Sequence, residues 1–211
     1  MFLFVDSQGG VDFSRHEYVD HWEDKMYAVN RQIRSHWSKR QHQPTVVVLL
    51  VDARHRVLIV KDGTWHLPEY PLTEGEDFLA RAYRGMQEQA GLAPYALYPL
   101  HPVLLPELPV ITRAGNEPDE QGYRGRAYCA VALQLDEIPD AFALRGDHGN
   151  GPPLEGRWLS PDRAAAQLIP CAGDTIERFT QVDRPALRAL ADLILAHRLQ
   201  RPPESRSFTS T

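Results

Sequence analysis

Chemistry-bearing side chains gather in one stretch of this chain, Trp65 to Leu92, which reads W-H-L-P-E-Y-P-L-T-E-G-E-D-F-L-A-R-A-Y-R-G-M-Q-E-Q-A-G-L. Prolines 68 and 71 break its first part into a loop, and a helical pattern closed by Gly91 ends it. His66 could serve as a general base or a ligand, or be a hydrogen-bonded structural histidine. Arg81, Arg84, Gly85 and Glu88 fall on one side of the helix, and Arg84 and Glu88, one turn apart, can pair. The stretch reads as a site loop feeding a helix. Two further loops carry candidate groups: the acids Glu117, Asp119 and Glu120, and the segment Asp147-His148-Gly149, whose backbone N–H groups could cradle a phosphate. A solvated loop is the plainer reading of both.

The elements that must hold this stretch can be read on either side of it. Thr45 to Val51 is a β-branched run, Asp52 to Arg56 a turn, and Val57 to Val60 a returning strand. This hairpin is apolar without alternation, which predicts a sheet covered on both faces. Phe78 to Ala90 is predicted as a helix with Leu79, Ala82, Met86 and Ala90 as its apolar stripe and Gly91 as its stop. Leu92 to Ile111 is rich in proline, so its strands should be short or at an edge. Tyr128 to Leu135 is a second central strand, Asp136 to Gly156 a long loop, Arg157 to Leu159 a short strand, and Ser160-Pro161 a helix start.

Outside this core, Met1 to Val5 could be an edge strand. From about His16 to Lys39 the residues Trp22, Met26, Val29, Ile33 and Trp37 recur at helical spacing. Their face must pack on the main domain or on a second copy of the chain. A last helix is expected from Asp183 or Arg184 to Leu199, followed by a polar tail. The division expected is an N-terminal extension over 1–44, a main domain over 45–168, and a C-terminal helix and tail over 169–211.

Composition narrows the function classes. The 211 residues carry a formal net charge of -5, with 43% hydrophobic and 24% charged residues. Those proportions are those of a soluble globular protein. The charge gives no electrostatic reason to expect nucleic-acid binding, and the basic cluster Arg31, Arg34, Lys39 and Arg40 reads as a solvated helix face. Two cysteines, Cys129 and Cys171, make neither a disulfide framework nor a zinc site. No apolar run approaches the ~20 residues that span a bilayer. With no basic segment before the first apolar run, a cytoplasmic protein without membrane partners is expected.

The stretch from Tyr70 to Leu92 resembles the Nudix box, G-x5-E-x7-R-E-U-x-E-E-x-G-U, where U is aliphatic. Tyr70 stands at the first Gly, Glu76 at the first Glu, Arg84 at the Arg, Gly85 at the next Glu, and Met86 at the aliphatic place. Glu88 and Gln89 fall on the Glu-Glu pair, and Gly91-Leu92 close the match. Trp65-x-Leu67-Pro68 is similar to the family's lead-in, and Gly156 to Ser160 to its penultimate strand. The resemblance covers roughly residues 45 to 168 and implies an α/β (α+β) fold, a Nudix-like α/β/α sandwich with a mixed sheet.

Nudix hydrolases cleave a nucleoside diphosphate linked to another group, using divalent metal to neutralise phosphate charge and activate water. Mg or Mn would need hard oxygen ligands on one helix face, and the resemblance puts Gly85, Glu88 and Gln89 there. One carboxylate of three remains, with the Gln89 carbonyl as a neutral substitute. Glu155 stands where several family members carry a catalytic or metal-binding Glu. Glu76 and Arg84 are implied as the pair that holds the loop to the helix. His66, Tyr70, Arg81, Asp147 and His148 are the candidates to contact a diphosphate-containing, nucleotide-like small molecule. The leading expectation is a divergent hydrolase resting on Glu88 and Glu155; the alternatives are a binding protein that has lost hydrolysis and an enzyme running other chemistry in the same cleft. The family also suggests a homodimer.

Overall fold

The computed structural model describes residues 16–39, 41–101, 104–105, 107–112, 117–135, 137–139, 142–146, 151–169 and 174–200. The Met1 to Val5 strand, Cys171, Asp147, His148 and the side chain of Trp22 lie outside the described residues.

Helix α1 spans His16–Lys39. Strands follow at β1 Gln43–Asp52, β2 Val57–Asp62, β3 Thr64–His66 and β4 Glu69–Pro71, and then helix α2 at Phe78–Ala90. After it come β5 Leu97–His101, β6 Val110–Thr112, β7 Gly125–Leu135, β8 Leu144–Arg145 and β9 Pro153–Leu159. The chain closes with α3 Pro161–Gln167, α4 Asp174–Arg178, a π-helical turn Phe179–Asp183, and α5 Arg184–Gln200. One mixed sheet runs in the order β5-β7-β1-β2-β9-β8, with β3 on β2, β4 on β1 and β6 on β7.

The unalternating apolar run predicts burial on both faces, and β1 is buried along its length from Pro44 to Asp52. Val46, Val48 and Leu50 enter a core with Val29, Ile33 and Trp37 of α1 and Ala82 and Met86 of α2. Val47, Leu49 and Val51 enter a second core with Ala164 of α3 and Ala186, Leu187 and Leu190 of α5. Helices on both faces make the α/β/α sandwich. The β1–β2 turn is held by the Asp52 carboxylate, which accepts the N–H groups of Arg54 (3.0 Å) and Arg56 (2.7 Å) and pairs with the Arg56 guanidinium at 2.6 Å.

What periodicity could not supply is the pairing. β1 meets β7 in parallel over ten positions, from Gln43↔Arg126 to Asp52↔Leu135, and β4 antiparallel at Thr45↔Pro71, Val46↔Tyr70 and Val47↔Glu69. The segment expected as a broken loop therefore holds two short strands. Because successive strand residues face opposite ways, Tyr70 joins the α2 side and Glu69 the α3–α5 side. Glu155 belongs to β9 itself rather than to the loop before it.

Helix α2 begins at Asp77, whose Oδ1 accepts the N–H groups of Leu79 (2.9 Å) and Ala80 (3.1 Å), an N-cap that satisfies two orphan donors. Its other oxygen accepts 2.6 Å from Asn30 Nδ2 of α1. Gly91 closes the helix at φ 67°, a conformation open to glycine at little steric cost. The face of α1 that needed a partner is thus packed on the chain's own domain. Replacing Asp77 by Ala removes both the cap and the tie to α1, and should cost about 1–2 kcal/mol in urea denaturation. Asn30→Ala, which leaves the cap in place, should cost less.

Candidate ligand cleft

Arg84 and Glu76 form the tie between loop and helix, NH2 to Oε1 at 2.5 Å. The other Glu76 oxygen accepts from the Thr73 N–H at 3.0 Å and the Thr73 hydroxyl at 2.9 Å, so the loop is closed on itself as well as on α2. Beside this tie opens a cleft of about 1090 Å³. Pro71 to Glu74, Arg81 and Arg84 form one wall; Pro118 to Gln121, Tyr123 and Arg126 form another.

Three box positions that depart from the family pattern prove to be spatially coupled. The Tyr70 ring lies directly under Gly85: a Cβ built at Gly85 would sit 2.3–2.5 Å from three ring carbons. No side chain fits at position 85 while the ring stays there. The Tyr70 hydroxyl donates to Gln89 Oε1 at 2.6 Å. Burial raises the Tyr70 phenol pKa far above its usual value, so the hydroxyl keeps its proton and remains a donor. The carbonyl oxygen offered by Gln89 as a neutral metal ligand is already in use.

Glu88 is likewise engaged. Arg81 NH1 lies 3.0 Å from Glu88 Oε2, and Arg84 Nε lies 3.7 Å from Oε1. Arg81 is itself only 5% exposed, donates from Nε to the Pro71 carbonyl at 3.0 Å, and has its guanidinium 5.1 Å from the centroid of the Tyr70 ring. On the side of the helix that carries the charges, Arg81 and Gly85 are buried against β4. The donor set therefore does not fit a divalent ion on α2. One place has no side chain, the carboxylate at the second is bridged to guanidinium, and the amide oxygen at the third accepts a hydrogen bond from the phenol. Among the described residues no group of three His, Cys, Asp or Glu side chains is placed to hold a metal.

Other candidates stand apart from this network. Glu155 is paired with Lys61 in the β2–β9 ladder, on the side of Ile59 and the second core, whereas α2 covers the first. There it bonds Arg157 NH2 at 2.8 Å, and Lys61 and Arg157 flank the Trp65 ring at 5.7 and 4.7 Å from its centroid. The structure does not bring Glu155 and Glu88 together. His66 Nδ1 donates to the Leu67 carbonyl at 2.9 Å, and burial lowers its pKa, so the ring is neutral near pH 7. Tyr70 is 2% exposed and faces the core rather than the cleft. Glu117 and Glu120 are exposed, while Asp119 accepts the N–H groups of Gln121 and Tyr123 within its own turn.

A second charged network escaped the sequence reading. Glu69 pairs with Arg126 of β7, and its other oxygen lies 2.8 Å from Arg178 NH1 of α4. Arg178 Nε lies 3.5 Å from Asp183 Oδ2 in the π-helical turn. The alternation of Glu69 and Tyr70 in a strand was the available signal; the partners, more than fifty residues away, had none. Burial pushes Asp183 up from 3.8 to about 6, against the opposing pull of Arg178.

No family model matches the chain. It is 27% identical over 177 residues to the RNA pyrophosphohydrolase of Histophilus somni strain 2336, covering 80% of this chain and 88% of that protein. Among solved structures it resembles a Nudix hydrolase of Listeria monocytogenes, TM-score 0.51 at 16% identity, covering 72% of this chain and 94% of the other. A C. elegans Ap4A hydrolase binary complex gives TM-score 0.50 at 13% identity, over 73% and 98%. The chain has the fold of the Nudix superfamily, and the likeness reaches well beyond the box, over 72–73% of the chain in these two structures.

Two outcomes follow. Gly→Ala inside a helix usually stabilises by ~0.5–1 kcal/mol. Gly85→Ala should do the opposite, losing about 1–3 kcal/mol to overpacking against the ring. In a Tyr70→Ala background the same change should turn neutral or stabilising, giving a strongly non-additive double-mutant cycle in chemical denaturation. For Asp183, the folded pKa lies above the unfolded one, so its contribution is fullest below pH 3.8 and is lost as pH rises through about 6. Asp183→Asn should therefore gain stability relative to the parent between about pH 4 and 6, as read from denaturation midpoints across that window.

Proposed function

We propose that this chain binds a nucleotide-like small molecule through its diphosphate in the cleft beside α2, and that metal-dependent hydrolysis on that helix has lapsed. The observation that carries this reading is the engagement of Glu88 by Arg81 and of Gln89 by Tyr70, while the Glu76–Arg84 tie that shapes the loop is kept. A scaffold maintained around an altered centre is what a binding role requires. Arg81, Arg84 and Arg126 supply cationic walls suited to phosphate oxygens, though each already has a carboxylate partner.

A hydrolase reading has its own support, namely the 27% likeness to a pyrophosphohydrolase and the retained Glu88 carboxylate. Under it, Mg or Mn would have to displace Arg81 from Glu88. Helix α1 is proposed to act as a brace for α2 rather than as part of a separate unit, since Asn30 reaches the α2 cap. That reading expects a monomer in light scattering; a homodimer would call for a contact elsewhere on the surface.

Incubation with a panel of nucleoside diphosphate compounds separates the two functions. The expected result is an upward thermal shift with an ADP-ribose-like compound that is recovered intact, since a ligand bound only by the folded state raises its stability. Metal-dependent turnover that Glu88→Gln abolishes would overturn the binding reading and establish the hydrolase.

A further inference from the structure

We infer that Arg81 takes the place of the divalent cation, so that α2 carries a built-in guanidinium counter-charge and excludes metal from Glu88. The inference rests on the proposed assignment of the cleft, but concerns the helix rather than the ligand. Three observations converge on it. Arg81 is buried yet charged, and its NH1 is 3.0 Å from Glu88 Oε2, the remaining carboxylate among the three family positions on this helix. The guanidinium is held from three directions, by Glu88, by the Pro71 carbonyl and by the face of the Tyr70 ring. The ring can lie there because position 85 is Gly, where any Cβ would collide with it.

These exchanges depend on one another. A side chain at position 85 would expel the ring, and a small residue at position 70 would leave the guanidinium without its floor. Gln89 fits the same arrangement: a neutral amide oxygen accepts the Tyr70 hydroxyl at 2.6 Å without adding a second negative charge near Glu88. A metal ion approaching Glu88 would meet a fixed positive group already bonded to that carboxylate, and would have to move it or share it against direct charge repulsion. Positive charge at this carboxylate is thus supplied by the protein, independently of metal supply and chelation.

Mn2+ binding by electron paramagnetic resonance tests this without any assay of activity. The unaltered chain should leave the free Mn2+ signal at submillimolar concentration unchanged by Glu88→Gln. The variant carrying Tyr70→Gly, Gly85→Glu, Gln89→Glu and Arg81→Gln together should acquire a bound Mn2+ that a further Glu88→Gln removes. Restoring Arg81 in that background should weaken Mn2+ binding by tenfold or more. Mn2+ bound by the unaltered chain and lost with Glu88→Gln would overturn the inference, and that comparison stands even if the multiple variant fails to fold. Equal Mn2+ affinity with Arg81 and with Gln at that position would overturn it as well. Failure of the nucleotide panel to find a ligand would count against the proposed function and would leave these Mn2+ outcomes decisive on their own.

Discussion

The aromatic ring of Tyr70 under the backbone of Gly85 couples strand β4 to helix α2, and much of the site depends on that contact. Protein interiors are close-packed, so a ring and a side chain cannot share one volume. With the ring in place, position 85 must be bare. The phenol then reaches Gln89, and the ring face supports the Arg81 guanidinium, which in turn reaches Glu88. A single steric fact therefore connects Tyr70, Gly85 and Gln89, which sequence spacing presents as separate substitutions, to Arg81 and Glu88.

Burial makes these polar contacts consequential. A guanidinium as enclosed as that of Arg81 would be costly without partners, and removing one partner of such a pair is more damaging than the net worth of the pair suggests. The same reasoning applies on the other face of the sheet, where Glu69 joins Arg126 and Arg178. Two adjacent residues of a three-residue strand thus tie down both helical layers, Tyr70 toward α2 and Glu69 toward α4. The short strand lies between two charged networks, and Arg81 of one and Arg126 of the other both line the cleft.

Much of the frame was legible in residue order because it obeys local rules. The β-branched run around Val46 to Val51, the periodic helix from Phe78 and its Gly91 stop follow from patterns only a few residues long. The Glu76–Arg84 tie was legible for a different reason: it falls within one box whose spacing carries the resemblance. The chemistry of the altered positions was not. Gly85 by itself reads equally as drift or as space opened for a ligand, and Gln89 by itself reads as a neutral ligand; what decides between these readings is the position of a ring nineteen residues before Gln89.

Sequence by itself determined that this chain forms a two-sided apolar sheet feeding a capped helix, with the loop-to-helix tie of a Nudix box and only one of its three helix carboxylates. Those are consequences of local propensity, periodicity and spacing, which the chain carries in its order. Tertiary structure alone decided what the remaining carboxylate does. Whether Glu88 faces a cation-binding space or a buried guanidinium depends on how β4 registers against β1 and which way Tyr70 then points. Strand register is set by long-range pairing and core packing, and so is not written in the helix that displays the residue.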